Sequence, residues 1–107
     1  MATLVTRQFD IIRNPDGARR SIVPYILVLQ SHYAPMATTI VAPIRRKTHA
    51  EGHAEIEVPI SVQNEDCAVM VAELAHLPSR MLGRSIDNLS RQEDDIRRAL
   101  DRLFTGF

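Results

Sequence analysis

The sequence has one cysteine, Cys67, which excludes an internal disulfide and fits a reducing cytosol. It has no surplus of either charge: 13 lysines and arginines balance 13 aspartates and glutamates, and the pI is about 6.9. Nothing global therefore argues for a nucleic-acid or membrane surface, and a basic patch would have to be local. No stretch approaches the apolar length of a membrane span, and the opening MATLVTR lacks the apolar core of a leader peptide. With the lone cysteine, these features predict a cytoplasmic protein that does not engage a membrane. The four glycines form no phosphate-cradling loop, and no nucleophile motif is recognisable, so the sequence carries no positive sign of catalysis and implies no cofactor.

What is present reads as one domain spanning residues 1–107. The 45% hydrophobic and 24% charged composition suits a single core in a chain of this length. Phe9 to Arg13 is a short strand closed by Asn14-Pro15-Asp16-Gly17, a turn signal because proline presets φ and glycine accepts positive φ. Tyr25 to Leu29 is a continuous apolar run, suited to a strand buried on both faces, and Thr38 to Ala42 is its β-branched partner. In Glu55 to Val62 the residues Ile56, Val58, Ile60 and Val62 alternate onto one face, and Pro59 assigns the strand to an edge or a bulge. A polar turn from Gln63 to Asp66 leads into an apolar strand from Cys67 to Leu74, and the mixed pattern from His76 to Asn88 reads as short strand or turn.

The final segment is helical. Ser90 and Glu93 have the spacing of a capping box, and Glu93, Asp94 and Asp95 suit the positive end of the helix dipole. Ile96, Ala99, Leu100, Leu103, Phe104 and Phe107 form one apolar stripe, with Glu93 to Arg97 and Asp94 to Arg98 as acid-first pairs on the polar side. Gly106 suits a left-handed cap. Strands in series followed by one helix predict an α+β domain with a mostly antiparallel sheet.

Several residues invite a chemical reading. His49 and His53 in HAEGH have zinc-like spacing, but Glu51 is out of place for a zinc helix and no third ligand is near, so a solvated loop is the better reading. Cys67 is followed by Ala68, Val69, Met70 and Val71, which suggests a core cysteine, not a nucleophile. Arg45-Arg46-Lys47 reads as a charged loop able to meet phosphate or an acidic peptide.

The ordered set of short motifs resembles the CcdB family of bacterial toxins. Its carriers are Gln8-Phe9, Pro24-Tyr25 with Gln30-Ser31, Val41-Ala42-Pro43-Ile44, Leu77-Pro78, Leu89-Ser90 with Glu93 and Asp95-Ile96, and the closing Phe104-Thr105-Gly106-Phe107. The resemblance runs from residue 8 to 107 and leaves residues 1–7 as an extension. It implies a small β-barrel-like, CcdB/MazF-like sheet with a C-terminal helix, a homodimer, and no chemistry by the toxin itself. It also implies binding to the breakage-and-reunion subunit of DNA gyrase, whose cleaved-DNA complex the toxin traps. A cognate antitoxin with a flexible tail would neutralise it, and only through that antitoxin would it meet operator DNA.

Carried over residue by residue, the gyrase contacts fall on Asp101, Phe104, Thr105, Gly106 and Phe107, with Tyr33 and Ala34 from the loop after Gln30-Ser31. Where the family pattern ends Trp-Gly-Ile, this chain has threonine, glycine and phenylalanine, so an aromatic that stacks on a gyrase arginine is replaced by Thr105. Two other readings remain open. A ribonuclease toxin on the same fold would draw on Arg19, Arg20, Arg45 and Arg46 with His32 or His49. A non-toxic relative would keep the antitoxin and lose gyrase.

Overall fold

The computed structural model describes residues 6–31, 37–47 and 56–106. Seven strands, β1 (Asp10–Arg13), β2 (Tyr25–Val28), β3 (Thr38–Arg46), β4 (Glu57–Val62), β5 (Glu65–Met70), β6 (Ala75–Pro78) and β7 (Ser85–Asn88), precede one helix, α1 (Glu93–Thr105). All pair antiparallel: six follow the order β4-β5-β3-β2-β1-β7, and β6 pairs with β3 off that path. β3, nine residues long, pairs with three partners. One edge of β3 pairs with β2, while the other pairs first with β6 through Thr38–Val41 and then with β5 through Ile44–Arg46. The result is a curled antiparallel half-barrel with one C-terminal helix, the α+β class expected.

Period-2 alternation places Ile11, Leu27, Ala42, Ile44, Val58, Ile60, Val62 and Val69 on one face, where Ile96 and Ala99 of α1 complete the main core. The opposite face carries a smaller cluster of Ile12, Ile26, Val28, Val41 and Leu82. β2 contributes to both clusters, as its unbroken apolar run requires. β4 lies at an edge, so Pro59 leaves no inner ladder position without a donor.

Several boundaries differ from the sequence expectation. β1 starts at Asp10 because Phe9 adopts φ 70°, a left-handed conformation that breaks the extended run although its ring is buried. β2 ends at Val28 instead of Leu29. β3 runs past Ala42 to Arg46, so Arg45 and Arg46 are strand residues, not loop residues. Pro43 is tolerated because it sits where the partner strand changes from β6 to β5.

The turn after β4 shortens to Gln63 and Asn64, at φ 50° and 66°, the double left-handed geometry of a two-residue hairpin. β5 therefore begins at Glu65 and gives way at Val71 to a 3-10 turn, Val71–Glu73. Gly17 opens another 3-10 turn, Gly17–Arg19, without needing positive φ. Asn14 instead holds this loop: its Nδ2 donates to the Val23 carbonyl at 2.9 Å and its Oδ1 accepts from the Asp16 amide at 2.9 Å. Among the described residues, no helix is long and apolar enough to cross a membrane.

Candidate functional site

α1 is entered differently from the expected capping box. Ser90–Gln92 forms a 3-10 turn, and the acceptor at its start is Asn88, whose Oδ1 takes the Ser90 amide at 2.8 Å. Asn88 Nδ2 also donates to the Gln8 carbonyl at 3.1 Å and to Asp10 Oδ1 at 3.0 Å, tying β7, β1 and the helix entry together. Glu93 turns outward to Arg97 at 3.2 Å, and Arg98 meets Asp95, not Asp94, at 3.7 Å.

Packing grades along the apolar stripe. Ile96 and Ala99 are buried, Leu100 and Leu103 are partly buried against the same core, and Phe104 is 69% exposed. α1 rests on β4 and the Val71–Glu73 turn, so its last turn carries the Phe104 ring beyond that support. Thr105 spends its hydroxyl proton inside the helix, donating from Oγ1 to the Asp101 carbonyl at 2.6 Å. Gly106 caps the helix at φ 80°, with its amide donating to the Arg102 carbonyl at 3.1 Å, the left-handed cap expected of it. Asp101, Phe104, Thr105 and Gly106 are all exposed, which gathers four of the sequence-named residues on one helix end. Phe107, Tyr33 and Ala34 lie outside the described residues, as do His32, His49 and His53.

The other candidates divide clearly. Cys67 is fully buried in the main core, and burial, with Glu65 adding to it, pushes its thiol above the ordinary range, the opposite of what a nucleophile needs. Among the described residues, no group of three histidine, cysteine, aspartate or glutamate side chains could hold a metal. Arg45 meets Glu57 at 3.8 Å and Arg46 meets Glu65 at 2.9 Å. Asp87 accepts a hydrogen bond from Arg91 at 3.2 Å, and that bond holds its carboxyl below the usual aspartate range. Sequence reasoning missed the side-chain roles of Asn14, named only as a turn residue, and of Asn88. Their signal is an asparagine at a strand end two residues before an amide in need of an acceptor.

A family model for the CcdB protein matches residues 8–106. Two solved structures share the fold. The crystal structure of an Mtb toxin is 26% identical, with a TM-score of 0.67, and the match covers 88% of this chain and 99% of that one. The Mycobacterium tuberculosis toxin MazF-mt6 is 22% identical at a TM-score of 0.67, covering 92% and 96% of the two chains, and carries the fold alone. A search of curated proteins finds no match. The matched span takes in the curled sheet, the asparagine-held entry to α1 and the exposed helix end together, and on that match the chain belongs to the CcdB family, the toxins of toxin–antitoxin modules.

Proposed function

We propose that the protein poisons DNA gyrase by docking the end of α1 on the breakage-and-reunion subunit while DNA is cut, so that the cleaved complex cannot reseal. The observation that carries this reading is Phe104, an aromatic left 69% exposed on a helix whose preceding apolar residues are buried or partly buried. A large apolar side chain held at a rigid helix end is suited to be a binding anchor. Asp101, one turn earlier, with Thr105 and Gly106 extends the contact surface among the described residues, and Phe107, Tyr33 and Ala34 are its further members named from sequence. Thr105 supplies no aromatic face for an arginine, so the stacking role passes to Phe104 and Phe107.

On this reading the toxin acts without catalysis: gyrase supplies the reactive tyrosine and the toxin blocks a return step. Family membership supports a cognate antitoxin, whose flexible tail orders on binding and which carries the toxin to operator DNA. The working unit is a homodimer, and sedimentation at twice the 12.1 kDa chain mass is the expected result.

Induced expression in a gyrase-bearing bacterium tests the reading. Wild type should arrest growth, while Phe104→Ala and a chain lacking Thr105 to Phe107 should not, although both melt close to the parent. Equal arrest by all three chains would remove the helix end from the mechanism. A truncated chain that melts far below the parent would show instead that these residues belong to the fold.

A further inference from the structure

The main-core face of the sheet changes character toward β1. Register pairs Val58 with Val69, Val69 with Ile44, Ile44 with Tyr25 and Tyr25 with Arg13, and cross-strand partners share a face. The row is thus aliphatic at β4 and ends in an aromatic and a guanidinium. Arg46, two residues beyond Ile44, falls on the same face. There the surface opens into a groove of about 280 Å³, lined by Arg13, Arg20, Tyr25, Arg46, Gln63 and Ile86.

The charges in this groove are not balanced. Arg46 has Glu65 as its partner, but Arg20 makes its hydrogen bond through Nε to the neutral Asn14 carbonyl at 2.6 Å. Arg13 is exposed and, among the described residues, has no ion pair. Three arginines therefore line a concave site, and among the described residues only Arg46 of the three has an ion-pair partner, in a chain whose overall charge is zero. An anion seated there would offset the repulsion among like charges.

Two local irregularities serve the same groove. Gln63 holds φ 50°, a conformation costly for a side chain of its size. Ile86 is the extra residue of a β-bulge, since Ile11 pairs with Asp87 while Ile12 pairs with Ser85. Both side chains line the groove.

We propose that this groove binds single-stranded nucleic acid, seating one nucleotide with its phosphate on Arg13, Arg20 and Arg46 and its base against Tyr25 and Ile86. Guanidinium forks match phosphate oxygens bidentately, and an aromatic beside them gives a base a sequence-tolerant platform. The volume suits one nucleotide and not a duplex. None of the described lining residues is a carboxylate or a histidine, so the site retains a strand without the acid–base pair that cleavage needs. The groove and the helix end can be tested separately, because substitutions in the groove leave α1 intact.

The test is fluorescence anisotropy of a labelled ten-nucleotide single-stranded RNA, titrated with the full chain at several salt concentrations. Wild type should bind with affinity that falls as salt rises. Arg13→Ala should weaken binding about fivefold or more and lower the salt slope by close to 0.7, one phosphate's share for a single strand. Arg80→Ala, which removes an exposed arginine outside the groove, should leave both unchanged, and melting curves should show each variant folded.

Identical titrations for wild type and Arg13→Ala would overturn the proposal, as would an absence of RNA binding at low salt. Displacement of the RNA by a glutamate decapeptide at equal charge concentration would reassign the groove to acidic peptides. Equally tight binding of inorganic phosphate, with nothing gained from the oligonucleotide, would reassign it to a free anion.

Discussion

Phe104 and Ile96 lie eight residues apart on one helix face, yet Ile96 is fully buried and Phe104 is 69% exposed. Helical period names the face but not the extent of the surface beneath it, so the sequence placed both residues in one stripe. Their substitutions should separate them. Ile96→Ala should cost about 2–5 kcal/mol in denaturant unfolding, through lost burial and an unfilled cavity. Phe104→Ala should stay within about 0.5 kcal/mol of the parent, yet weaken binding to the gyrase subunit by about 2 kcal/mol, roughly thirtyfold in calorimetry. Phe107→Ala should likewise weaken that binding more than Thr105→Ala, because the Thr105 proton is already taken by the Asp101 carbonyl. Equal affinities for the two would reject that ranking.

Asp87 gives a residue-scale prediction in pH. The Arg91 hydrogen bond lowers its folded pKa, so the stability it contributes is fully present above the unfolded aspartate value of about 3.9 and is lost as pH falls through the folded value. NMR titration should find the Asp87 midpoint below the ordinary value in wild type and moved back toward it in Arg91→Ala. An unchanged midpoint would show that the pair is not formed in solution.

At the scale of elements, the helix entry is the sharpest departure from the sequence pattern. Ser90 and Glu93 satisfy the capping-box spacing, but the chain reaches α1 through a 3-10 turn, and the acceptor shifts two residues upstream to Asn88. Asn88→Ala should destabilise by about 1–3 kcal/mol, since it removes a partly buried side chain bonded to Ser90, Gln8 and Asp10. Ser90→Ala should change stability by less than about 0.5 kcal/mol. The reverse order in thermal melts would restore the capping box.

The strands were legible in proportion to their burial. β4 alternates cleanly, and of the two settings its proline allows, edge or bulge, it takes the edge, whereas β6 and β7 are half-exposed along four residues each and offer no period to find. The C-terminal extension of β3 was hidden by Pro43, a break signal in sequence that the sheet accommodates at a change of partner.

For the whole molecule, the family was legible because short motifs kept their order and spacing from the first strand to the helix end, and the match over residues 8–106 bears this out. The arginine groove was legible only in part: Arg20 and Arg46 are among the arginines named from sequence for an RNA-binding reading, and Arg13 is not. Arg13, Arg20 and Arg46 come from two strands and a loop, and only the antiparallel register of β1, β2 and β3 brings them to one rim. Of the neighbouring pair Arg45 and Arg46, strand alternation sends only Arg46 to the groove face. A balanced total charge likewise concealed a local excess.

On the proposed function, the end of α1 traps gyrase on cut DNA. Purified gyrase, ATP and supercoiled plasmid, incubated with the full chain or with the chain lacking Thr105 to Phe107, test it directly. Protein-linked linear DNA should accumulate with the full chain and not with the shortened one. No linear DNA from either chain at micromolar concentration, or equal amounts from both, would contradict it.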